Sequence, residues 1–299
     1  MNLAVIGECM LELAPLGAGQ YRLSYGGDVL NTGVYAARSG IKTTFFSALG
    51  DGFYSDWLVN AWRAEGINCR EVQRLPGHEP GLYMIQNDDD GERNFHYWRS
   101  ASPFKLWLKD REYCDQLSEK LACFEQIHYS GITLAMLEEP DRDRLLTLLA
   151  DYRQNGGRVS FDPNYRPKLW ASLSEANLWL DRGYDNADIA LPSLEDEIPR
   201  RRDSSIEETI RQLDKHKLNE LVVKAGAQGC WIRNSDATRQ IPISHNVKTI
   251  DTTGAGDAFN AGYLVARSKG EDPITAATAG QKLASRILQH YGAIIPRDD

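Results

Sequence analysis

Several features that would place this chain in a membrane or outside the cell are missing from its 299 residues. No apolar segment approaches the roughly 20 residues that a membrane-spanning helix needs. The first apolar run, LAVI, has no basic segment before it and is too short for a signal peptide. The 5 cysteines form no CxxC pattern, and a scattered, odd-numbered set suits a reducing compartment better than a disulfide framework. We therefore expect a cytoplasmic protein with free, mostly buried thiols.

Positive charge is also scarce. The sequence has 42 acidic residues against 34 lysines and arginines, which gives a formal net charge of -8. This balance argues against nucleic acid or an anionic membrane as the partner, so an anionic substrate would have to be bound by a few local cations. No Walker A pattern occurs, and the segment GAGQYR at 17–22 lacks the third glycine of a dinucleotide fingerprint. Neither a P-loop nor a Rossmann cofactor site is supported.

What the sequence does contain is an alternation of short apolar runs with amphipathic stretches. The apolar runs are LAVIG, TTFFSALG, EQIHYSG, RVSFDPN, ADIALPS and ELVVKAG, and the amphipathic stretches are 29–39, 54–65, 142–155 and 206–215. This alternation predicts an α/β fold with a mainly parallel sheet, covered by helices on both faces, whose ligands lie beyond the carboxyl ends of the strands. The strings FDPN, LPS and VKAG each end an apolar run, so we expect them to line one crevice.

Two segments, 9–25 and 80–99, interrupt that alternation. The string LYMIQNDDDGERNFHYWR is typical of two strands around an acidic Asp-Gly turn. We expect both segments to form a small β lid over the crevice, and residues 1–8, 26–79 and 100–299 to form the α/β core. Exposed strand edges on such a lid would favour pairing with another subunit, so we expect a homo-oligomer.

The string DTTGAGDAF at 251–259 carries the most chemical information. An apolar-polar stretch precedes it and apolar residues at helical spacing follow it, so its glycines fall where a helix begins. Backbone N–H groups of Gly254, Ala255 and Gly256 would converge there and bind an anion, with phosphate as the natural guest. Asp257 would repel that phosphate, so its presence needs a reason beyond binding. A carboxylate here could accept the proton of a substrate hydroxyl that attacks the phosphoryl group. The alternative is that Asp257 only favours the first turn of an ordinary helix.

This string resembles the C-terminal signature of the ribokinase-like (PfkB) sugar kinases, and a second signature of that family resembles GGDVLNTGVYAARSG at 26–40, followed by LGDG at 49–52. The resemblance implies a three-layer α/β/α core with a small β-sheet lid, and Asp257 as the catalytic base. It also implies that Gly27, Asp28 and Asn31 hold the sugar hydroxyls, a task for which carboxylate and amide groups are suited. The alternative for 26–40 is a glycine-rich turn with an asparagine cap.

Two arginines bear on the substrate. Arg99 follows Tyr97 on the same face of the second lid strand, and Arg166 comes just past a core strand. A guanidinium forms bidentate pairs with planar oxyanions, so two of them in one crevice indicate a carboxylate or a phosphate. The alternatives are that Arg99 pairs with lid acids such as Asp88 or Glu92, and that Arg166 caps a strand.

The strings YWR and NYR resemble those of the 2-keto-3-deoxygluconate kinases within the family, where they serve the substrate carboxylate and the nucleotide. Through this resemblance Asn164 and Arg166 are candidate nucleotide contacts, and Tyr83 is a candidate substrate contact. The implied reaction is phosphorylation of 2-keto-3-deoxygluconate by ATP at its 6-hydroxyl. A fructokinase or another kinase of a neutral sugar is the first alternative, and a non-catalytic sugar-binding regulator on the same fold is the second.

The nucleotide and metal sites are implied mostly by the resemblance. The string VVKAGAQG at 222–229 is similar to the family segment that borders the ATP phosphates, with Lys224, Gly226 and Gly229 as its contacts. Taken alone, a lysine that ends a strand before a glycine turn is more often part of a solvated turn. The family's Asn-x-x-Glu motif, which orients Mg²⁺ through water, aligns with Ser193 and Asp196. Glu195, Glu197 or a simple acidic helix start are the alternatives. The resemblance also leaves open a K⁺ ion near the 251–257 turn.

Overall fold

The main sheet is built mostly from strands whose residues are buried on both faces. The computed structural model describes residues 1–17, 19–87, 93–201, 205–234, 237–243 and 247–297. The strands are β1 (Asn2–Ile6), β2 (Met10–Gly17), β3 (Gln20–Gly26), β4 (Lys42–Gly50), β5 (Val72–Leu75), β6 (Leu82–Asn87), β7 (Arg93–Trp98), β8 (Gln126–Ser130), β9 (Arg158–Asp162), β10 (Ile189–Ala190), β11 (Glu220–Lys224), β12 (Cys230–Arg233) and β13 (Thr238–Ile241). Within the described ranges the main sheet has the order β13-β12-β11-β10-β9-β8-β1-β4-β5. All its pairings are parallel except those of β12 with β11 and β13.

Helices cover both faces of this sheet. They are α1 (Asp28–Arg38), α2 (Phe53–Ala64), α3 (Arg111–Ala122), α4 (Gly131–Met136), α5 (Glu139–Gln154), α6 (Leu173–Asp185), α7 (Leu194–Arg201), α8 (Ile206–Leu213), α9 (Ala255–Ser268) and α10 (Pro273–Ile287). On β1, Leu3 and Val5 pack against α1 and α2, whereas Ala4 and Ile6 face the core formed with α3, α5, α6 and α8. Successive side chains of a strand point to opposite faces, so a strand buried on both faces carries a continuous apolar run. The predicted three-layer α/β/α architecture is confirmed.

A second, smaller sheet has the order β3-β2-β6-β7. β6 and β7 are antiparallel with Tyr83 opposite Tyr97, and β2 runs parallel to β6 with Glu12 beside Tyr83. Except for Gly26 at the end of β3, these strands fall within the two segments, 9–25 and 80–99, that interrupt the main pattern, and the predicted small sheet is confirmed. The Asp-Gly turn expected between β6 and β7 lies outside the described residues.

The sequence pattern did not reveal every element. Helices α3, α4, α6 and α10 and the strands β5, β12 and β13 carry no prediction above; of these, α3 has few apolar residues and buries only Leu117 and Leu121. All 5 cysteines are free thiols, of which Cys9, Cys69 and Cys230 are buried. In the described part of the chain, no helix has the length and apolar character to cross a membrane.

Candidate active site

The turn that opens helix α9 is held in place by its own aspartate. Asp251 accepts hydrogen bonds at Oδ1 from the backbone N–H (3.0 Å) and the hydroxyl (2.7 Å) of Thr253, and at Oδ2 from the N–H of Gly292 (2.7 Å). Gly254 then adopts φ +74°, in the left-handed region that favours glycine. An added Cβ there would also lie 2.7 Å from the Cβ of Ala293. The turn therefore requires glycine at this position for two independent reasons.

The backbone N–H groups of this turn differ in whether they already donate a hydrogen bond. Ala255 donates to the carbonyl of Thr252 at 3.2 Å, so its N–H is already engaged. Gly254 and Gly256 find no acceptor for their N–H groups in the part of the chain that the structure describes. Since the helix dipole adds partial positive charge here, these two groups are the ones that can receive an anion in this conformation. The ammonium of Lys224 lies close by, 3.6 Å from where a Cβ on Gly256 would sit.

The Asp257 carboxylate is fixed from the opposite side of the crevice. The amide of Asn31 on α1 donates to Asp257 Oδ2 at 2.8 Å, and the hydroxyl of Thr32 donates to the Asp257 carbonyl at 3.1 Å. Desolvation in the crevice raises the pKa of Asp257 to about 7, with a further contribution from the charge of Asp28 and opposition from the Asn31 hydrogen bond. A carboxylate with such a pKa is suited to accept a proton near neutral pH.

Asp28 lies at the start of α1, directly after Gly27, whose close approach to the Glu8 carbonyl leaves no room for a Cβ. Its Oδ2 accepts a hydrogen bond from the amide of Asn164 at 2.8 Å. Burial raises the pKa of Asp28, against the hydrogen bonds it accepts from Ser130 and Asn164. Asn164, predicted as a nucleotide contact, thus directs its amide at the predicted sugar-binding carboxylate.

Asp162 is the group that sequence reasoning missed. Its Oδ2 accepts hydrogen bonds from Lys224 Nζ (2.7 Å) and Asn260 Nδ2 (2.6 Å), and its Oδ1 accepts one from the N–H of Asn164 (3.1 Å). Burial by itself would raise the pKa of Asp162, but the charge and hydrogen bond of Lys224, aided by Asn260, lower it overall. The signal available in the sequence was its place in FDPN, at the end of a buried strand.

Arg99 forms an ion pair with Glu8, a residue that the sequence patterns do not single out. The side chains are 10% and 3% exposed, so the pair is well shielded from water. Glu8 Oε1 and Arg99 Nε are buried and have no hydrogen-bond partner among the described residues. The alternative partners Asp88 and Glu92 lie outside the described residues.

Arg166 is more exposed, at 49%, and donates to Asp196 Oδ1 at 3.2 Å. Burial raises the pKa of Asp196 to about 6, although the positive charge of Arg166 opposes it. Burial likewise raises the pKa of Tyr97, while the charges of both Arg99 and Arg166 lower it. The Arg99 guanidinium lies 5.7 Å from the centroid of the Tyr97 ring, and the charge of Arg166 also acts on the Tyr97 hydroxyl.

Tyr83 lies on β6 of the small sheet, and its ring packs against those of Phe95 (6.1 Å between centroids) and Tyr97 (5.9 Å). Its hydroxyl donates to the buried carboxylate of Glu12, which sequence reasoning also missed. Burial and the nearby charge of Glu12 raise the pKa of Tyr83 well above its ordinary value. The phenol is thus a neutral donor whose orientation is set by Glu12.

The acids at the start of α7 separate into two groups. Glu197 is fully buried and pairs with Arg200 and Arg201, both at 2.6 Å, so it stabilises the packing of α7. Asp196 faces Arg166, and Glu195 Oε1 lies 3.7 Å from where a Cβ on Gly226 would sit. Ser193, three residues after the end of β10, forms an isolated parallel bridge with Lys224 at the end of β11. Gly226 and Gly229 both have positive φ, at +52° and +87°.

Comparison with known proteins decides the family. The model of the pfkB family carbohydrate kinases matches residues 1–299. The chain belongs to this family. It is 40% identical to the 2-dehydro-3-deoxygluconokinase of Escherichia coli (strain K12), covering 99% of this chain and 98% of that protein. It is 39% identical to the protein of that name from Dickeya dadantii (strain 3937), covering 99% and 97%.

Among solved structures, this pfkB kinase is similar to the fructokinase of Vibrio cholerae O395 in its fructose-, ADP- and calcium-bound form. The TM-score is 0.85 at 25% identity, and the match covers 98% of this chain and 94% of that chain. The agreement over nearly the whole length confirms the fold, including the arrangement of a main sheet with a separate small one.

In this pfkB kinase the predicted site residues fall in three neighbouring groups. Asp257 accepts a hydrogen bond from Asn31, Asp28 accepts one from Asn164, and the Arg99 guanidinium lies 5.7 Å from the centroid of the Tyr97 ring, on which the charge of Arg166 also acts. The residues that the sequence did not reveal are the buried partners that fix these groups, namely Glu8, Glu12, Asp162 and Asn260.

Proposed function

We propose that this chain transfers the γ-phosphoryl group of ATP to the 6-hydroxyl of 2-keto-3-deoxygluconate. The observation that carries the reaction type is the Asp257 carboxylate at the start of α9, beside the N–H groups of Gly254 and Gly256. The substrate assignment is supported by the named relatives, of which four 2-dehydro-3-deoxygluconokinases are 35–40% identical over 99% of this chain.

The proposed mechanism assigns each group one task. Asp28 and Asn31, with the backbone at Gly27, orient the sugar hydroxyls so that the 6-hydroxyl lies beside Asp257. Asp257 accepts the proton of that hydroxyl as its oxygen bonds to the γ-phosphorus and the bond to the leaving ADP oxygen breaks. The glycine N–H groups of the 254–256 turn stabilise the negative charge that develops on the phosphoryl oxygens.

The same geometry supports the nucleotide contacts that we propose. Lys224 ends β11 next to Gly256, so its ammonium is placed to approach the phosphates. Gly226 and Gly229 allow the backbone of the following turn to come close to the ligand, and Ser193 and Asn164 line the neighbouring strand ends. The fructokinase from V. cholerae was solved with ADP at 25% identity, which supports a nucleotide in this chain as well.

The donor set fits a divalent cation that is bound mainly by phosphates. Within the described residues no group of three or more His, Cys, Asp or Glu side chains could hold a metal by itself. Mg²⁺ commonly keeps several waters and binds through one or two carboxylates plus substrate phosphates, so Asp196, or Glu195, would hold it through water. When bound, the cation neutralises charge on the β- and γ-phosphate oxygens. A K⁺ ion near the 251–257 turn is the remaining ion that we propose.

We propose that selectivity for an acid rests on Arg99, which lies over the Tyr97 ring at 5.7 Å, on Tyr97 itself and on Arg166, whose charge also acts on the Tyr97 hydroxyl. They would bind the substrate carboxylate, with Tyr83 as a further contact. We propose that the small sheet acts as a lid that excludes water during transfer, which limits wasteful ATP hydrolysis. The exposed apolar side chains Leu16 (62%) and Trp98 (58%) on this sheet support pairing with a second copy of the chain, which sedimentation would test.

A coupled ADP-release assay over a panel of sugar acids and neutral sugars tests this proposal. Asp257→Asn should abolish turnover and leave substrate binding largely intact, and a near-normal kcat would refute the role of Asp257 as base. Fastest turnover of fructose or another neutral sugar would favour the alternative that fructokinase relatives, at 28–32% identity, represent. Binding without ADP release for every compound would indicate a sugar-binding regulator.

Arg166→Ala separates the two kinase assignments further. The loss of kcat/KM should be larger for the keto acid than for a neutral ketose, because only the acid offers a carboxylate to the guanidinium. Arg158→Ala is the matched control, since Arg158 is exposed at the opposite, amino-terminal end of β9. Equal losses for both substrates would show that Arg166 does not read the carboxylate.

A further inference from the structure

The carboxylate of Asp162 is only 5% exposed and is satisfied by three donors. Lys224 and Asn260 donate to Oδ2 at 2.7 Å and 2.6 Å, and the N–H of Asn164 donates to Oδ1 at 3.1 Å. Lys224 also donates to Asn260 Oδ1 at 3.0 Å, which closes the cluster. A buried carboxylate engaged in this way acts through its neighbours and has little capacity left for a ligand.

Each donor leads to a different part of the site. Asn260 lies one helical turn after Asp257 on α9, so Asp162 fixes the face of the helix that carries the carboxylate. Lys224 places its ammonium at the edge of the 254–256 turn. Asn164 directs its side-chain amide to Asp28. One buried carboxylate thus connects the first turns of α9, the end of β11 and the segment after β9, which surround the proposed position of the reacting hydroxyl.

The charged and titratable groups around Asp257 come from three elements. Asp28 and Tyr35 belong to α1, Asp162 ends β9 and Lys224 ends β11. After burial and Asp28, the two members of the ion pair act in opposite directions: the charge of Asp162 raises the pKa of Asp257, and that of Lys224 lowers it. While the pair is intact, its two effects on Asp257 oppose each other.

We propose that the Asp162–Lys224 ion pair, anchored by Asn260, positions helix α9 and sets the electrostatic environment of the Asp257 carboxylate. Asp162 is then a positioning residue for phosphoryl transfer. The inference rests on the proposed role of Asp257 as base. Loss of Asp162 leaves an uncompensated ammonium that makes Asp257 less basic, whereas loss of Lys224 leaves an uncompensated carboxylate that makes it more basic.

The test measures kcat/KM for the keto acid against pH in Asp162→Asn and Lys224→Met, with ATP held saturating for each variant. The acidic limb of the profile should move to lower pH in Asp162→Asn and to higher pH in Lys224→Met, each by on the order of one pH unit. The double variant should return the limb toward the wild-type position. A purely structural loss would lower the rates without moving the limb in opposite directions.

Asp188→Asn is the matched control. Asp188 also binds an arginine (Arg153, 2.9 Å) and a backbone N–H (Val159, 2.8 Å), but at the amino-terminal end of the strands, so its limb should not move. An unmoved limb in Asp162→Asn, or shifts of the same sign in both variants, would overturn the inference. If Asp162→Asn fails to fold, the inference is tested by Lys224→Met alone, whose acidic limb should move to higher pH.

The two proposals fail separately. If Asp257→Asn retains turnover, the base assignment is wrong, and this inference is lost with it. If Asp257→Asn is inactive while the Asp162→Asn limb stays in place, Asp257 remains the base and only the role of the ion pair is refuted.

Discussion

If Asp257 is held in an environment that resists ionisation, replacing it should stabilise the protein while abolishing turnover. The structure raises the pKa of this carboxyl from 3.8 to about 7, first through desolvation and then through the charge of Asp28. The folded state therefore binds a proton more tightly than the unfolded chain does. By linkage, the free energy of unfolding falls as pH rises from about 4 to about 7, and stays lowered above that range.

The size of this effect follows from the shift. A rise of about three pKa units corresponds to ~4 kcal/mol at 1.36 kcal/mol per unit. The carboxylate is partly open to the crevice, so solvent screening should reduce this to ~1–3 kcal/mol. Asp257→Asn has the same shape and no charge, and it removes this penalty. The variant should thus be more stable than the wild type by that amount above pH 7, and by less at pH 5.

Urea-induced unfolding of both proteins at pH 5 and pH 8, without substrate, checks the prediction. Asp272→Asn is the control with the opposite sign, because Asp272 caps α10 and the Thr275 hydrogen bonds lower its pKa. That variant should be less stable than the wild type by a margin that does not change between the two pH values. The reasoning is refuted if the Asp257→Asn margin is absent, negative or independent of pH.

Three further outcomes are expected. Gly254→Ala should lower kcat by on the order of 10²-fold, because it forces a left-handed φ on alanine and a clash with Ala293. The control Gly40→Ala, also at positive φ but in open space, should keep its activity. Glu8→Gln should lower the free energy of unfolding by ~3 kcal/mol, since it leaves the Arg99 charge buried and unpaired, and urea unfolding measures this loss. Chelation of divalent cations should stop ADP release, and added Mg²⁺ should restore it.

The parts of the site that the sequence predicted are those specified by adjacent residues. The turn before α9 is specified by neighbouring residues: Asp251 accepts a hydrogen bond from the N–H of Thr253, and Gly254 lies where φ is positive. The alternation of apolar runs and amphipathic stretches likewise specifies the parallel sheet, because each strand is buried on both faces. Local patterns of this kind need no knowledge of which elements meet in space.

The contacts that fix the site are not local. Asn31 and Asp257 are 226 positions apart, Asp162 and Lys224 are 62 apart, and Arg99 and Glu8 are 91 apart. A buried carboxylate such as Asp162 resembles any acid at a strand end until its partners are known. The polar helix α3 was hidden for a related reason, since its burial depends on neighbouring elements more than on its own sequence.

Both arginines that we expect to read the substrate are already paired with carboxylates, and the two pairs differ in cost. The Arg99–Glu8 pair is shielded from water, so separating it would leave an unpaired buried charge at a cost of ~3–5 kcal/mol. The Arg166–Asp196 pair involves a guanidinium that is 49% exposed, where an ion pair contributes ~0–1 kcal/mol. Arg166 can therefore exchange Asp196 for the substrate carboxylate at little cost. Arg99 should keep its ion pair with Glu8 and offer only its remaining N–H groups to the substrate. Substitution of Arg166 should therefore weaken binding of the acid and lower the free energy of unfolding less than substitution of Arg99 does.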